Sequence, residues 1–130
     1  MKALQITKYG ELKNSLSFNE TAKPIINASD VLIETKAAGL NPIDYKLVNG
    51  HLKEIVALNL PNTIGFDLSG VVVEKGAEVT KFEIGDVVYA RVPQNQMGTV
   101  AEYVAVASKV ISKKPGNISF EEAASLPLVG

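Results

Sequence analysis

Four polar or ionisable side chains are crowded into the short segment NPIDYK, residues 41–46. They are Asn41, Asp44, Tyr45 and Lys46. Together they bring an amide, a carboxylate, a phenol and an ammonium group to the point where the strand-like segment VLIETKAAGL ends. Such groups donate hydrogen bonds, carry charge and exchange protons, so the segment could form the rim of a reactive site. It could equally be an ordinary helix start, with Asn41 as N-cap and Pro42 at the first helical position.

Each of these side chains also has a purely structural interpretation. Asp44 can stabilise the positive end of a helix dipole, which is the simpler role for it. Lys46 can be a solvated helix lysine, and Asn41 can be a plain N-cap. Gly50 is expected to end the helix after about two turns. The one histidine of the chain, His51, lies in a loop-like stretch beyond it and is assigned no function.

The composition indicates one globular domain and excludes several kinds of site. Of the 130 residues, 46% are hydrophobic and 21% are charged, which suffices for a core without disulfides or metals. The formal charge of −1 gives no sign of binding to nucleic acid or to an anionic membrane. The chain has no cysteine, so thiolate catalysis and sulfur-bound zinc are excluded, and a cytoplasmic location is expected. No signal peptide and no run of ~20 apolar residues is recognisable.

Most of the chain is predicted to form short strands. Alternating apolar and β-branched residues fill short segments, and glycines and prolines separate them at close, regular intervals. The segments are MKALQIT, NSLSFNE, ASDVLIETKAAG, FDLSGVVVEKG, GDVVYARV, TVAEYVAVAS and KVISKKP. This pattern favours a mainly β fold, either a barrel or a sandwich.

A second helix is predicted near the end of the sequence. Ser119 and Glu122 have the spacing of a capping box, in which each side chain bonds the backbone amide of the other residue. Pro127 is expected to end or kink this helix. Because the apolar tail LPLVG has the character of a connection, we expect a domain at 1–118 and the start of a connecting helix at 119–130.

The most specific spacing begins at Pro61 and runs PNTIGFDLSGVVVEKGAEVTKFEIGDVVYA. Gly65 and Gly70 are expected to allow close backbone approach or a bulge. Gly76 is expected to adopt a positive φ in a tight turn, and Asp86 is expected to bond nearby amides. Each of these glycine and aspartate positions alone indicates only an ordinary turn, whereas all of them together, in this order and at this spacing, form a strong motif.

With these motifs in this order, the chain resembles the N-terminal, GroES-like catalytic domain of the medium-chain dehydrogenase/reductase superfamily. The resemblance extends from MKALQITKYG to EEAASLPLVG. It implies a mainly β fold, a partly open antiparallel barrel with short helices. Within the superfamily the chain is most similar to the zinc-independent quinone oxidoreductase branch.

Departures from the zinc-dependent members point to that branch. Where those members have a cysteine ligand this chain has Asn41, and their Gly-His-Glu is here GFD, with Phe66 in place of the histidine. Asp67 is expected to form structural hydrogen bonds in the barrel. No lobe for a structural zinc is present, since only RVPQNQM separates Ala90 from Gly98. The resemblance therefore implies no metal.

The activity implied by the resemblance is hydride transfer from NADPH to a small-molecule quinone or enone. Asn41 would contact the nicotinamide side of the cofactor, and Lys46 would offer a cation to cofactor or substrate. Lys46 and Tyr45 are the implied catalytic residues, because a metal-free site must stabilise a developing oxyanion with hydrogen-bond donors or a cation. The parent protein would be a homodimer with no nucleic-acid or membrane partner.

The sequence has no G-x-G-x-x-G and no βαβ unit, so the phosphates of a dinucleotide have no recognisable site in it. We therefore expect these residues to be part of a longer oxidoreductase and to be inactive alone. Two alternatives stay open, a non-catalytic co-chaperonin-type subunit with the same barrel and a free-standing interaction module. Co-chaperonins carry a long glycine-rich loop early in the chain, whereas residues 10–30 contain only Gly10.

Overall fold

The computed structural model describes residues 1–48, 50, 60–93 and 96–125, and its secondary structure is mainly β. In chain order the elements are β1 (Lys2–Ile6), α1 (Leu12–Ser15), β2 (Leu16–Glu20), β3 (Asp30–Gly39), α2 (Pro42–Val48), β4 (Asn62–Thr63), β5 (Asp67–Lys75), β6 (Val87–Arg91), β7 (Tyr103–Ala107), β8 (Ile111–Lys113) and α3 (Phe120–Ser125), with a 3-10 turn at Ser108–Val110. Each predicted strand segment contains one of these strands, and both predicted helices are present.

The strands form two antiparallel sheets. One sheet has the order β7-β3-β5-β6-β8, and the other has the order β2-β1-β4. The sheets meet where β1 contacts the segment before β7: the Leu4 amide donates to the Val100 backbone oxygen at 2.9 Å, and Ala3 and Ala101 form an isolated antiparallel bridge. They do not close into a continuous ring, so the predicted partly open antiparallel barrel is confirmed.

The core fills the space inside the larger sheet. Alternate residues of the long strands β3 and β5 point inward, because side chains in a strand have a period of two. Val31, Ile33, Leu68 and Val72 are fully enclosed there. Their β-branched and aliphatic side chains pack with Phe82, which has no exposed surface. A smaller cluster of Ile6, Val48 and Ile64 lies under the second sheet and anchors the end of α2.

Two of the motif glycines are required by close packing, as predicted. A Cβ at Gly65 would overlap the Thr99 hydroxyl and lie 2.9 Å from Val100 Cγ2, and Gly65 also has φ +107°. A Cβ at Gly70 would collide with the Glu34 backbone oxygen across the β3–β5 ladder. Neither position therefore accepts a side chain without a shift of the neighbouring strand.

One glycine prediction is wrong in its mechanism. Gly76 does not have a positive φ. It is needed because a Cβ would overlap the backbone oxygen of Ala28, so the turn after β5 packs directly on the segment before β3. In the next turn Gly85 has φ +97°, and Asp86 accepts a hydrogen bond from the Glu83 amide at 2.9 Å, as the sequence predicts.

The predicted capping box begins α3. The Glu122 amide donates to Ser119 Oγ at 3.1 Å, and the Ser119 amide donates to Glu122 Oε1 at 2.9 Å. The Ser69 hydroxyl of β5 donates to the Phe120 backbone oxygen at 2.5 Å. Gly39 lets the helix approach β3, because a Cβ there would lie 2.7 Å from the Ala124 oxygen. The predicted kink at Pro127 lies outside the described residues.

The helices seen in the described part of the chain are too short to span a lipid bilayer.

Candidate active site

Asn41 lies where β3 passes into α2, at one end of the larger sheet. The ladder between β3 and β5 pairs Gly39 with Asp67, so the chain two residues beyond Gly39 passes next to the first residue of β5. The amide nitrogen Nδ2 of Asn41 donates to Asp67 Oδ2 at 2.7 Å. Asp67 has no exposed surface, whereas Asn41 is half-buried. The sheet register thus joins two residues that are 26 positions apart in sequence.

Asp44 holds the backbone of the same residue. The backbone N–H of Asn41 donates to Asp44 Oδ2 at 2.8 Å, and the Asp44 amide donates to the Asn41 backbone oxygen at 2.9 Å. This is half of a capping box, in which a carboxylate at the third helical position bonds the N-cap amide. The predicted N-cap position is therefore present, although the side chain of Asn41 bonds Asp67 and not a helix amide.

The surroundings of the Asp44 carboxyl group disfavour its negatively charged form. Burial raises the pKa of Asp44 above its ordinary value, and the negative charge of Asp67 adds to the rise. Hydrogen bonds from the backbone amides of Asn41 and Gly65 oppose this rise without reversing it. The end of the sheet therefore holds two carboxyl groups close enough to influence each other, with Asn41 bonded to both.

Lys46 is not brought into this cluster. It is exposed, whereas Asp44, Leu47 and Val48 of the same helix are buried. Two residues along an α-helix turn through about 200°, so Lys46 lies on the opposite side of α2 from Asp44. Within the part of the chain that the structure describes, its ammonium group has no ion-pair or hydrogen-bond partner, and it is available to a ligand.

Two of the sequence-predicted positions cannot be placed as side chains. Tyr45 lies within α2, and its side chain is outside the described part of the structure. His51 lies outside the described residues altogether. The structure therefore joins Asn41 with Asp44 and Asp67, and it places Lys46 apart from them.

The residues at the positions of zinc ligands do not fit a metal. Phe66 is 4% exposed and packs in the large hydrophobic cluster. The Asn41 amide nitrogen is a donor to Asp67 and cannot also be a ligand. Across residues 1–48, 50, 60–93 and 96–125, no three His, Cys, Asp or Glu side chains come together as a metal site would require.

The sequence predicted structural hydrogen bonds for Asp67, and the structure shows one, from the Asn41 side chain at 2.7 Å. Its bond to Asn41 places it beside the candidate cofactor contact. A buried strand aspartate directly after a GF pair was the available signal, because a fully buried carboxylate needs hydrogen-bond donors close by. The donor could be identified only once the register of β3 against β5 was known.

Comparison with known proteins gives a consistent result. The family model described as the alcohol dehydrogenase GroES-like domain matches residues 27–116. A 2-methylene-furan-3-one reductase from Solanum lycopersicum is 40% identical over 98% of this chain, and so is an NADPH-dependent alkenal/one oxidoreductase, chloroplastic, from Arabidopsis thaliana. The chain spans 34% of the length of each of these relatives.

A solved structure agrees over the whole chain. The quinone oxidoreductase from Coxiella burnetii superimposes with a TM-score of 0.90 and 38% sequence identity. The match covers 100% of this chain and 42% of that one. The superposition therefore extends over the barrel, α2 and the end of β3.

Proposed function

Because the chain belongs to the alcohol dehydrogenase GroES-like domain family of the medium-chain dehydrogenase/reductase superfamily, we propose that it acts as the N-terminal catalytic domain of an NADPH-dependent oxidoreductase. The substrates are quinones or enones, as the names of the similar proteins suggest. Residues 1–118 form the domain, and 119–130 begin the helix that leads to a nucleotide-binding domain. The observation that carries the proposal is the half-buried Asn41 carboxamide, held by buried carboxylates at the end of the sheet.

The residues present fit only the nicotinamide end of the cofactor. Asn41 is partly accessible and has amide groups suited to an uncharged, amide-bearing ring. A dinucleotide also needs a glycine-rich turn at a helix N-terminus for its phosphates. The helices within the described ranges are seven residues or shorter and follow no such turn. The phosphate site therefore belongs to the nucleotide-binding domain of the proposed longer protein.

Bound NADPH would supply a hydride to an electron-poor carbon of the acceptor. The acceptor oxygen gains negative charge as that carbon is reduced, and a proton completes the reaction, so enone, NADPH and one proton give the saturated ketone and NADP⁺. A cation or donor near that oxygen lowers the barrier. Lys46 offers an exposed ammonium group, and Tyr45 follows Asp44 in the same helix as a phenol donor.

The proposed reaction uses no zinc. The packing of Phe66 in the core and the donor role of the Asn41 amide support this, because neither side chain can replace a histidine or cysteine ligand. The proposal includes a homodimeric longer protein in the cytoplasm with small-molecule substrates. The location stays a prediction, since relatives include proteins named as chloroplastic and mitochondrial.

The proposal is tested by comparing the 130-residue chain with a chain that continues into a nucleotide-binding domain. The longer protein should bind NADPH and oxidise it when a quinone or an enone is added. The shorter chain should bind NADPH weakly and show no turnover, because it lacks the phosphate site. Turnover by the short chain at an ordinary enzymatic rate would contradict the division of the site between two domains. A large ring on size-exclusion chromatography would favour the co-chaperonin alternative.

A further inference from the structure

Two buried carboxylates fix the position of Asn41. Its backbone N–H donates to Asp44 Oδ2 at 2.8 Å, and its side-chain nitrogen donates to Asp67 Oδ2 at 2.7 Å. The second distance lies in the range of charge-assisted hydrogen bonds, which are shorter and stronger than neutral ones. Asp44 and Asp67 are 4% and 0% exposed, so both carboxyl groups are largely shielded from water. The backbone and the side chain of Asn41 are therefore both held.

The chemistry of Asp67 decides which end of the carboxamide faces it. The structure points Nδ2 of Asn41 at Asp67 Oδ2, at a distance of 2.7 Å, and a carboxylate oxygen accepts hydrogen bonds. The nitrogen of the Asn41 amide must face Asp67, because an oxygen in that place would meet another acceptor. The amide oxygen Oδ1 of Asn41 therefore points away from Asp67, and it has no hydrogen-bond partner among the described residues.

We propose that Asp67 is a positioning residue that holds the Asn41 carboxamide so that its oxygen accepts a hydrogen bond from the amide group of a bound nicotinamide. The inference rests on the proposed function for the identity of the ligand. The nicotinamide amide has an NH₂ group that needs an acceptor, and a fixed Asn41 oxygen offers one without the entropic cost of ordering the side chain on binding. Support of this kind by buried neighbours keeps a contact group in one geometry.

The orienting role can be measured on the 130-residue chain without cofactor. In an NMR spectrum of the unaltered chain, the two Nδ2 protons of Asn41 should have widely separated shifts, because one donates to a carboxylate and the other does not. The Asp67→Asn variant keeps the shape of residue 67 but lets the pair bond in either orientation. The separation should then collapse. An unchanged separation in this variant would overturn the inference.

The contact with nicotinamide is measured in the longer protein. Asp67→Asn should raise the Kd for NADPH by about tenfold, which is the scale of one lost hydrogen bond. The double variant Asn41→Asp with Asp67→Asn exchanges the two side chains and should recover most of this affinity. The amide then stands at position 67 and can donate to the carboxylate at position 41, so an oxygen of residue 41 again faces outward. A Kd that is unchanged in Asp67→Asn, or not recovered in the exchanged pair, would overturn the inference.

Ser69→Ala is the matched control. Ser69 is as buried as Asp67, lies on the same strand and donates to the Phe120 oxygen, so its loss destabilises the domain without touching Asn41. It should lower the melting temperature and leave the Asn41 signals and the Kd per folded molecule unchanged. If Asp67→Asn does not fold, the spectrum of the unaltered chain tests the inference by itself. Two Asn41 Nδ2 protons with nearly equal shifts would contradict the hydrogen bond from Asn41 to Asp67. A longer protein that binds no NADPH but shows the Asn41 separation would contradict the proposed function and leave the orienting role of Asp67 supported.

Discussion

Asn41 and Asp44 bond each other in both directions at the start of α2. The Asn41 amide donates to the Asp44 carboxylate at 2.8 Å, and the Asp44 amide donates to the Asn41 backbone oxygen at 2.9 Å. This reciprocal pair begins the helix and at the same time fixes the residue that we assign to the cofactor. If the proposed cofactor contact is made, the helix start and the ligand contact are the same structural unit.

Asp44 should make stability depend on pH. Burial raises its pKa above the ordinary value of 3.8, so the folded state binds this proton more tightly than the unfolded state. The resulting stabilisation is complete below 3.8 and is lost as the pH rises through the higher folded pKa. Urea unfolding from about pH 7 to about pH 4 should show the unaltered chain gaining stability relative to Asp44→Asn, which keeps an acceptor for the Asn41 amide.

Glu122 provides a control of opposite sign. The Ser119 amide, and secondarily its hydroxyl, hold the pKa of Glu122 below its ordinary value of 4.5. Its stabilisation is therefore present above 4.5 and is lost as the pH falls through the lower folded pKa. As the pH falls from 4.5 through the lower folded pKa of Glu122, the unaltered chain should lose stability relative to Glu122→Gln, which is opposite in sign to its gain relative to Asp44→Asn. If the stability difference between the unaltered chain and each variant changed in the same direction as the pH falls, the opposite pKa shifts given for Asp44 and Glu122 would be wrong.

Gly65→Ala should destabilise the domain much more than Gly85→Ala. The two glycines have φ of +107° and +97°, so each alanine costs about 1–2 kcal/mol in backbone strain. Gly85 has no atom within 4 Å of an added Cβ, whereas Gly65 faces the Thr99 hydroxyl and Val100. Overpacking adds about 1–3 kcal/mol at Gly65. Equal losses of unfolding free energy in the two variants would show that strand packing at Gly65 has been overstated.

The domain should bind no stoichiometric zinc. The positions of two ligands in zinc-dependent members are occupied by Asn41 and Phe66; a neutral carboxamide and a phenyl ring do not replace the thiolate and imidazole that bind zinc. Elemental analysis of protein purified without a histidine tag should give far less than one zinc per chain. About one zinc per chain, retained after dialysis against a weak chelator, would contradict the assignment to the zinc-independent branch.

In the longer protein, Asn41→Ala and Lys46→Ala should slow hydride transfer from NADPH to the substrate. Loss of a contact to developing charge or to the reacting ring costs about 10²-fold in rate. Loss of a helix cap alone costs ~1 kcal/mol of stability and leaves the rate per folded molecule unchanged. Single-turnover rates and melting temperatures are measured on the same samples. Variants that are less stable but keep the full rate would show that NPIDYK is only a helix start.

Features that depend on nearby residues could be predicted from the sequence. The β-branched run at Val71–Val73 predicts β5, and the spacing of Ser119 and Glu122 predicts the cap of α3. The two-residue strand β4 could not be predicted, because it is defined only by its pairing with β1. The short α1, a single turn, likewise carries no periodic signal.

The same distinction applies to the candidate site. The place of Asn41 at the start of α2 could be predicted from local sequence, but its contact with Asp67 depends on the ladder that pairs Gly39 with Asp67. A shift of one residue in this register would turn Asp67 to the other face of the sheet. The contact between Asn41 and Asp67 can therefore be known only from the pairing of β3 with β5 in the folded structure.

The position of β3 in the larger sheet also determines when the domain can form during synthesis. Its two neighbours, β5 and β7, lie far downstream, and Asp30 pairs with Ala107. A ribosome that has translated fewer than about 100 residues therefore presents Val31, Leu32 and Ile33, which are fully enclosed in the finished sheet, to water and to other nascent chains. Translation past β7, and not the completion of β3 itself, is the event that protects this strand from aggregation.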